Sequence, residues 1–208
     1  MIHPWEIVRL IDEQAEAAGA VIYRALAEEP IGHYMYPDPQ ERQRLLPLFT
    51  LWCREACLYG QVYTTASEPH GVAFWNPPDT GEPPPPPKEQ PELPRARDIM
   101  GPDARLRWGG VMDYMTQVNY AKPPPPHWYL SILAVDPPYQ RQGIGTALIQ
   151  FILRRADATG VPCALDTTLP QNVGYFQRHG FQVAMENVEP ESGIRFWGMW
   201  REPGAAAA

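Results

Sequence analysis

Apolar residues recur along this chain at two spacings, and the alternation between them predicts an α/β order. Trp5 to Leu10 is a short apolar stretch that reads as a strand. Asp12 then offers a helix cap, and Ala15, Ala18, Ile22, Ala25 and Leu26 follow at helical spacing. A second helix is marked by Asp38 as cap, Pro39 at its first position and Glu41 completing a capping box. Its apolar face is Leu45, Phe49, Trp52 and Ala56, with Gly60 at its end and a kink expected at Pro47. Gln61 to Thr65 and Gly71 to Trp75 read as a hairpin of strands.

In the second half, Asp103 to Tyr120 has helical spacing, with Leu106, Val111, Met115 and Val118 inward. His127 to Val135 is the strongest strand pattern in the chain. A helix follows from about Gly143 to Thr159, burying Ile144, Ala147, Leu148, Phe151 and Ile152 and stopped by Gly160. Cys163 to Thr167 reads as a strand, Gln171 to His179 as a short helix stopped by Gly180, and Phe181 to Val188 and Ile194 to Trp200 as a closing strand pair.

Proline interrupts this order. Of 26 prolines, nine lie between Pro77 and Pro94 and four more form Pro123 to Pro126. Proline removes a backbone donor and fixes φ, so the stretch at about 77–94 is expected to be an extended arm. It is not read as a domain boundary, and residues 1–208 are expected to form a single domain.

Bulk properties exclude more than they identify. The 208 residues, 44% hydrophobic and 20% charged, suit a globular protein with a sizeable core. A net charge of -7 argues against a nucleic-acid partner. The N-terminus lacks a signal-peptide pattern, and no apolar run is long enough to span a membrane, so a cytoplasmic location without membrane contact is expected. Three cysteines do not make a disulfide framework, and Cys53 and Cys57 have no neighbours at metal-site spacing, so no metal is expected.

The chemistry-bearing stretch is SILAVDPPYQRQGIGTALIQ, from Ser131 to Gln150. A strand ends at Val135, Pro137 and Pro138 force a turn, and Gln140-Arg141-Gln142-Gly143-Ile144-Gly145 leads into a helix. Glycines let a ligand approach the backbone, and unpaired amides at the positive end of a helix suit phosphate. A dinucleotide fingerprint would need a third glycine where Leu148 stands, and a P-loop would need Gly-Lys-Ser/Thr, which is absent.

Together with LDTTLPQNVGYFQRHGF, from Leu165 to Phe181, this segment resembles the GCN5-related N-acetyltransferase (GNAT) superfamily. The resemblance is closest to puromycin N-acetyltransferase-like members and strongest from Trp128 to Trp200. It implies the GNAT fold: a mixed central sheet, splayed at the acetyl-CoA site, with helices on both faces. The strands splayed would be the one ending at Val135 and the one from Cys163 to Thr167. It also implies that pantetheine pairs with the backbone of Leu133, Ala134 and Val135, and that the Val135 amide stabilises the oxyanion of a tetrahedral intermediate. The pyrophosphate would sit on Gln142, Gly143, Ile144, Gly145 and Thr146, with Gln140 and Arg141 at the rim. Asn172 matches the asparagine that binds the pantetheine arm. The family's proton-donating tyrosine falls on Phe176 here, a departure, with Tyr175 one helical step away.

The resemblance implies direct attack of a primary amine on acetyl-CoA. If side chains alternate along the strand, His127, Tyr129, Ser131 and Leu133 share one face. Relatives place glutamate or histidine at the positions of Tyr129 and Ser131, neither a good base here at neutral pH. His127 is a residue type of suitable pKa, and Asp166 could act through water. A water-relayed base is expected, with Tyr129 and Asp166 as the catalytic candidates. Tyr34, Tyr36 and Trp75 are expected to line the acceptor site, which suits a small hydrophobic amine. Three alternatives remain: a protein or peptide amine as acceptor, a non-catalytic acetyl-CoA sensor, and a proline-rich ligand for aromatic grooves. A homodimer is compatible with the sequence.

Overall fold

The computed structural model describes residues 5–59, 61–78, 93–118 and 126–205. Seven strands form one sheet: β1 (Ile7–Arg9), β2 (Val62–Thr65), β3 (Gly71–Asn76), β4 (Trp128–Val135), β5 (Cys163–Thr167), β6 (Gln182–Val188) and β7 (Arg195–Arg201), in the order β1-β2-β3-β4-β5-β7-β6. All neighbours are antiparallel except β4 and β5. The sheet crosses between the halves at β3 and β4, so both halves share one set of ladder hydrogen bonds.

The helices are α1 (Ala15–Ala25), α2 (Pro30–Met35), α3 (Leu45–Tyr59), α4 (Ala96–Met100), α5 (Pro102–Val118), α6 (Ile144–Thr159) and α7 (Pro170–Gln177). On one face of the sheet, α1 and α3 bury Ala18, Ile22, Leu48, Phe49 and Cys53 against Val72, Phe74 and Ala134. On the other, α6 buries Ile144, Leu148, Ile152 and Ala156 with Trp75, Leu130 and Leu165, and α7 adds Phe176. This is an α/β fold with helices on both faces of a mixed sheet.

Several local expectations change. Asp12 does not cap α1; it lies in a 3-10 turn, Asp12–Gln14, and pairs with Arg54. The helix expected from Asp38 begins at Leu45, after a 3-10 turn at Glu41–Arg44, because Asp38 accepts from the Gln40 amide in a local turn instead. Pro47 then falls in the first turn of α3, where its missing N–H costs nothing. The expected stop at Gly60 lies outside the described residues, as do 79–92 of the proline arm and the end of the helix expected to reach Tyr120. Leu106 is exposed rather than inward. The buried positions of α5 are Ala104 and Val111, with Met115 half-buried. The short α2 was not legible, since six residues hold too few turns for periodicity to register.

Candidate active site

β4 and β5 pair only at their beginnings. Trp128, Tyr129 and Leu130 face Cys163, Ala164 and Leu165, and beyond that point no ladder joins the two strands. From Ile132 onward β4 bonds only to β3, while Asp166 and Thr167 bond only to β7. The sheet therefore opens into a V at its centre.

The direction of the amides in that V follows from the ladder. The Asp136 N–H donates to the His70 carbonyl on the β3 side. Backbone groups alternate along an antiparallel strand, so those of Val135 and Leu133 point away from β3, into the gap. The Val135 carbonyl is taken up locally by Gln140 Nε2 at 3.0 Å.

A one-residue bulge controls what the side chains do. Phe74 pairs with Ile132 while Trp75 pairs with Leu130, leaving Ser131 as the extra residue. The bulge breaks the expected alternation. Leu130 and Leu133 both pack on the α6 side, and Ile132 and Ala134 on the α1 side. Leu133 accordingly does not share a face with Tyr129 and Ser131.

Next to the V, β4 runs into a turn and then α6. Arg141 (φ 61°) and Gly143 (φ 87°) both adopt the left-handed conformation, with Gly143 at the N-cap of α6 and no side chain capping it. The N–H groups of Ile144, Gly145 and Thr146 have no partner within the helix. The turn is braced by Gln142 Nε2 donating to the Pro138 carbonyl (3.1 Å) and by the Trp5 indole donating to the Gln142 carbonyl (2.9 Å). Behind it, Arg24 forks onto the buried Asp136 carboxylate at 2.9 and 2.7 Å, which ties α1 to the end of β4.

A cavity of about 1190 Å³ runs through the V. Its β4 wall extends from Trp128 to Leu133, and its β5 wall from Leu165 through Thr168, joined by Asn172 and Phe176 of α7. It continues under α2, α3 and α5, where Ile31, Met35, Phe49, Trp52, Trp108, Met112 and Met115 make an apolar wall. Trp52 and Trp108 pack ring to ring at 5.7 Å. Val135 and the Gln140–Thr146 turn lie just outside this lining.

The expected site residues divide accordingly. Tyr129 and Asp166 both line the cavity and are joined to each other, the phenol donating to Oδ2 at 2.8 Å. Burial first, and the neighbouring Asp166 charge second, push the Tyr129 phenol well above its ordinary value. Tyr129 is thus held in its protonated form. Phe176 and Asn172 face the cavity, whereas Tyr175 does not line it. The Tyr175 hydroxyl is buried against Gly145 with no well-formed hydrogen bond, and burial pushes it up to about 12, with a weak bond to the Thr146 side chain and the Arg178 charge acting the other way.

Trp75 lines the cavity, but Tyr34 and Tyr36 do not. Tyr36 is a core residue whose phenol donates to the Met100 carbonyl at 3.2 Å. Tyr34 packs with Val111, Ile194 and Phe196. The segment between the first two helices is itself helical, and it turns Ile31, Gly32 and Met35 to the cavity instead.

Two acidic residues of the cavity carried no signal in the sequence. Glu29 precedes α2 and accepts a hydrogen bond from Thr168 Oγ1, immediately after β5. Burial raises its carboxyl above the ordinary value, with the Thr168 bond pulling the other way. Glu55, on α3, is also raised by burial. Only the fold brings Glu29 and Thr168, 139 residues apart, together.

Residues 85–181, which contain β4, the turn, α6, β5 and α7, match the model of the acetyltransferase (GNAT) family. Solved structures share this α/β fold over nearly the whole chain. The Corynebacterium glutamicum "histone acetyltransferase HPA2 and related acetyltransferase" has a TM-score of 0.71 at 22% identity, covering 98% of this chain and 99% of that one. The C-terminal condensation domain of Ebony, in complex with beta-alanyl-dopamine, has a TM-score of 0.65 at 11% identity, over 97% and 100%. The Drosophila melanogaster polyamine N-acetyltransferase, which forms N-acetylagmatine, has 0.62 at 15%, over 95% and 100%. At these identities the likeness is one of fold. Among the described residues no group of side chains is arranged to hold a metal ion, and no helix is long and apolar enough to cross a membrane.

Proposed function

We propose that this GNAT domain transfers the acetyl group of acetyl-CoA to the primary amine of a small, hydrophobic molecule. The observation that carries the reading is the parting of β4 from β5, which leaves two successive inward-pointing backbone sets, at Leu133 and Val135, with no strand to pair with. An extended amide-bearing arm such as pantetheine fits there as an added strand does. The turn of Gln140 to Thr146 offers its pyrophosphate the free amides of α6, and Asn172 flanks the arm from α7. The arm positions the thioester; the N–H groups of Leu133 and Val135 stabilise negative charge on its carbonyl oxygen.

The apolar wall around Trp52 and Trp108 favours an aromatic or hydrophobic amine, which agrees with the resemblance to puromycin N-acetyltransferase-like members. A walled cavity of this kind favours a small molecule over a protein tail. Tyr129 orients Asp166 rather than acting as a base, since it is the donor of their bond. Phe176 in the cavity supplies no proton, so the departing thiolate takes its proton from solvent or from the amide nitrogen as it forms. Three unpaired cysteines support a reducing, cytoplasmic setting.

Two measurements test the reading. Titration calorimetry should give saturable acetyl-CoA binding, lost when a bulky residue fills the turn in Gly143→Trp. A thiol-reactive dye should report coenzyme A release with a panel of arylalkyl amines and polyamines. Saturable binding with no thiol released by any amine would establish a sensor instead.

A further inference from the structure

We propose that Glu29 is the carboxylate that binds the acceptor's ammonium group and takes its proton, with Thr168 as the residue that positions it. This rests on the acetyl-transfer reading above.

The argument begins with what the strand walls offer. β4 presents Tyr129 and Ser131 to the cavity, a phenol held protonated and a hydroxyl, neither able to accept a proton at neutral pH. β5 presents Asp166, whose Oδ2 accepts from the Tyr129 phenol on the cofactor-arm side of the cavity. Glu29 comes from a different layer, between α1 and α2, and reaches the cavity from the acceptor side.

Its location matches the geometry of the reaction. Thr168 directly follows the end of β5, so the Thr168–Glu29 bond fixes the carboxylate at the open edge of the V. That bond uses Oε2 and leaves Oε1 for an ammonium group. The neighbouring wall, Ile31, Met35 and Phe49, is apolar and itself offers a cation no counter-charge. The other titratable groups facing this cavity are Tyr129 from β4, Asp166 from β5, Glu55 from α3 and Arg155 from α6. Glu55 lies ten residues, or about 15 Å of helix, from Leu45, the α3 residue that packs on Gly32. It is therefore remote from Glu29.

The proton balance is complete. Glu29 accepts one proton from R–NH3+, giving R–NH2, whose lone pair forms the C–N bond at the thioester carbonyl. The C–S bond breaks, the sulfur leaves with its electron pair, and the second nitrogen proton passes to that sulfur. The products are the N-acetyl amine and coenzyme A, and Glu29 returns its proton to solvent.

The test uses the full chain with acetyl-CoA and a panel of 2-phenylethylamine, tyramine and agmatine, following thiol release against pH. Glu29→Gln should lower kcat/KM for the amine by about 10²-fold or more at pH 7 and leave the acetyl-CoA dissociation constant unchanged. Its remaining rate should rise with the free-amine fraction, so that the deficit shrinks toward about pH 10, where an alkylammonium ionises. Thr168→Val removes a bond that favours the ionised carboxylate. It should move the acid limb of the profile to higher pH while the plateau is retained, which a merely structural residue does not do. A Glu29→Gln protein that turns over like the parent at pH 7, or a Thr168→Val profile that does not move, overturns the assignment while leaving acetyl transfer in place. A parent protein that binds acetyl-CoA but acetylates no amine in the panel overturns both.

Discussion

Gly145 should be intolerant of a methyl group for a reason internal to the protein. A Cβ at this position would stand 2.9 Å from the Tyr175 hydroxyl oxygen and 3.6 Å from a Val135 methyl. The hydroxyl is the end of a rigid ring, held edge-on by Phe176 and His179 at 5.3 and 4.9 Å, so it cannot swing aside. Relieving the contact needs a shift of about half an ångström in a packed region, which costs about 1–3 kcal/mol. Alanine's better helix propensity returns up to about 1 kcal/mol, so Gly145→Ala should destabilise by about 1–2 kcal/mol. In Tyr175→Phe the obstacle is gone. That substitution alone should be close to neutral, because the buried hydroxyl it removes makes only a poorly aligned bond to Thr146. Adding Gly145→Ala to it should then cost nothing. Urea denaturation of the four proteins without ligand measures the coupling, expected at about 1–3 kcal/mol. Equal penalties for Gly145→Ala in both backgrounds would refute the reasoning and leave the phosphate turn alone as the reason for the glycine.

Three further outcomes follow from charges and thiols. Arg24→Ala strands the buried Asp136 carboxylate and should cost about 1–3 kcal/mol by chemical denaturation, below the usual figure for a buried pair because Arg24 is half exposed; Arg24→Lys, which cannot fork, should recover only part of it. Asp157, held below its ordinary value of 3.8 mainly by its hydrogen bond to the buried Arg201, contributes stability that is fully present above that value and is lost as pH falls through the lowered one. The stability gap between the parent and Asp157→Asn should therefore be constant at neutral pH and close only below about pH 4, as thermal melts across pH will show. Burial pushes Cys53 and Cys163 to about 12 and Cys57 to about 11, so iodoacetamide at pH 8 should label none of them in the native protein and all three in urea. Rapid native labelling of Cys53 or Cys163 would contradict the packing described for them.

The strands and the long helices were legible because each satisfies a single periodicity over enough residues. α6 and β4 are the clearest cases, and Gly143 and Gly145 at their junction mark a candidate phosphate turn only in the context of the strand before and the helix after. The bulge at Ser131 was not legible. Nothing in the run SILAV marks the skipped pairing, which arises only when β3 lies alongside. For the same reason the face assigned to Leu133 was wrong. Tyr34 and Tyr36 were expected at the cavity on aromatic character, but a short helix turns Ile31, Gly32 and Met35 to it instead. Glu29 had no local signature at all: its significance depends on Thr168 and on the depth at which α2 packs.

The bulge also sets which kinds of variation the protein can absorb. Main-chain groups point the same way whichever side chain each residue carries, so replacements from Leu133 to Val135 alter packing but keep the same donors aimed into the V. Removing or adding one residue there rotates every following peptide by half a turn. It would aim those donors at β3 and press Leu133 against α1, and a cosubstrate held as proposed above would lose its partners. Divergence in this part of the chain should therefore proceed by replacement at constant length, with changes of length confined to segments that do not thread between β3 and β5.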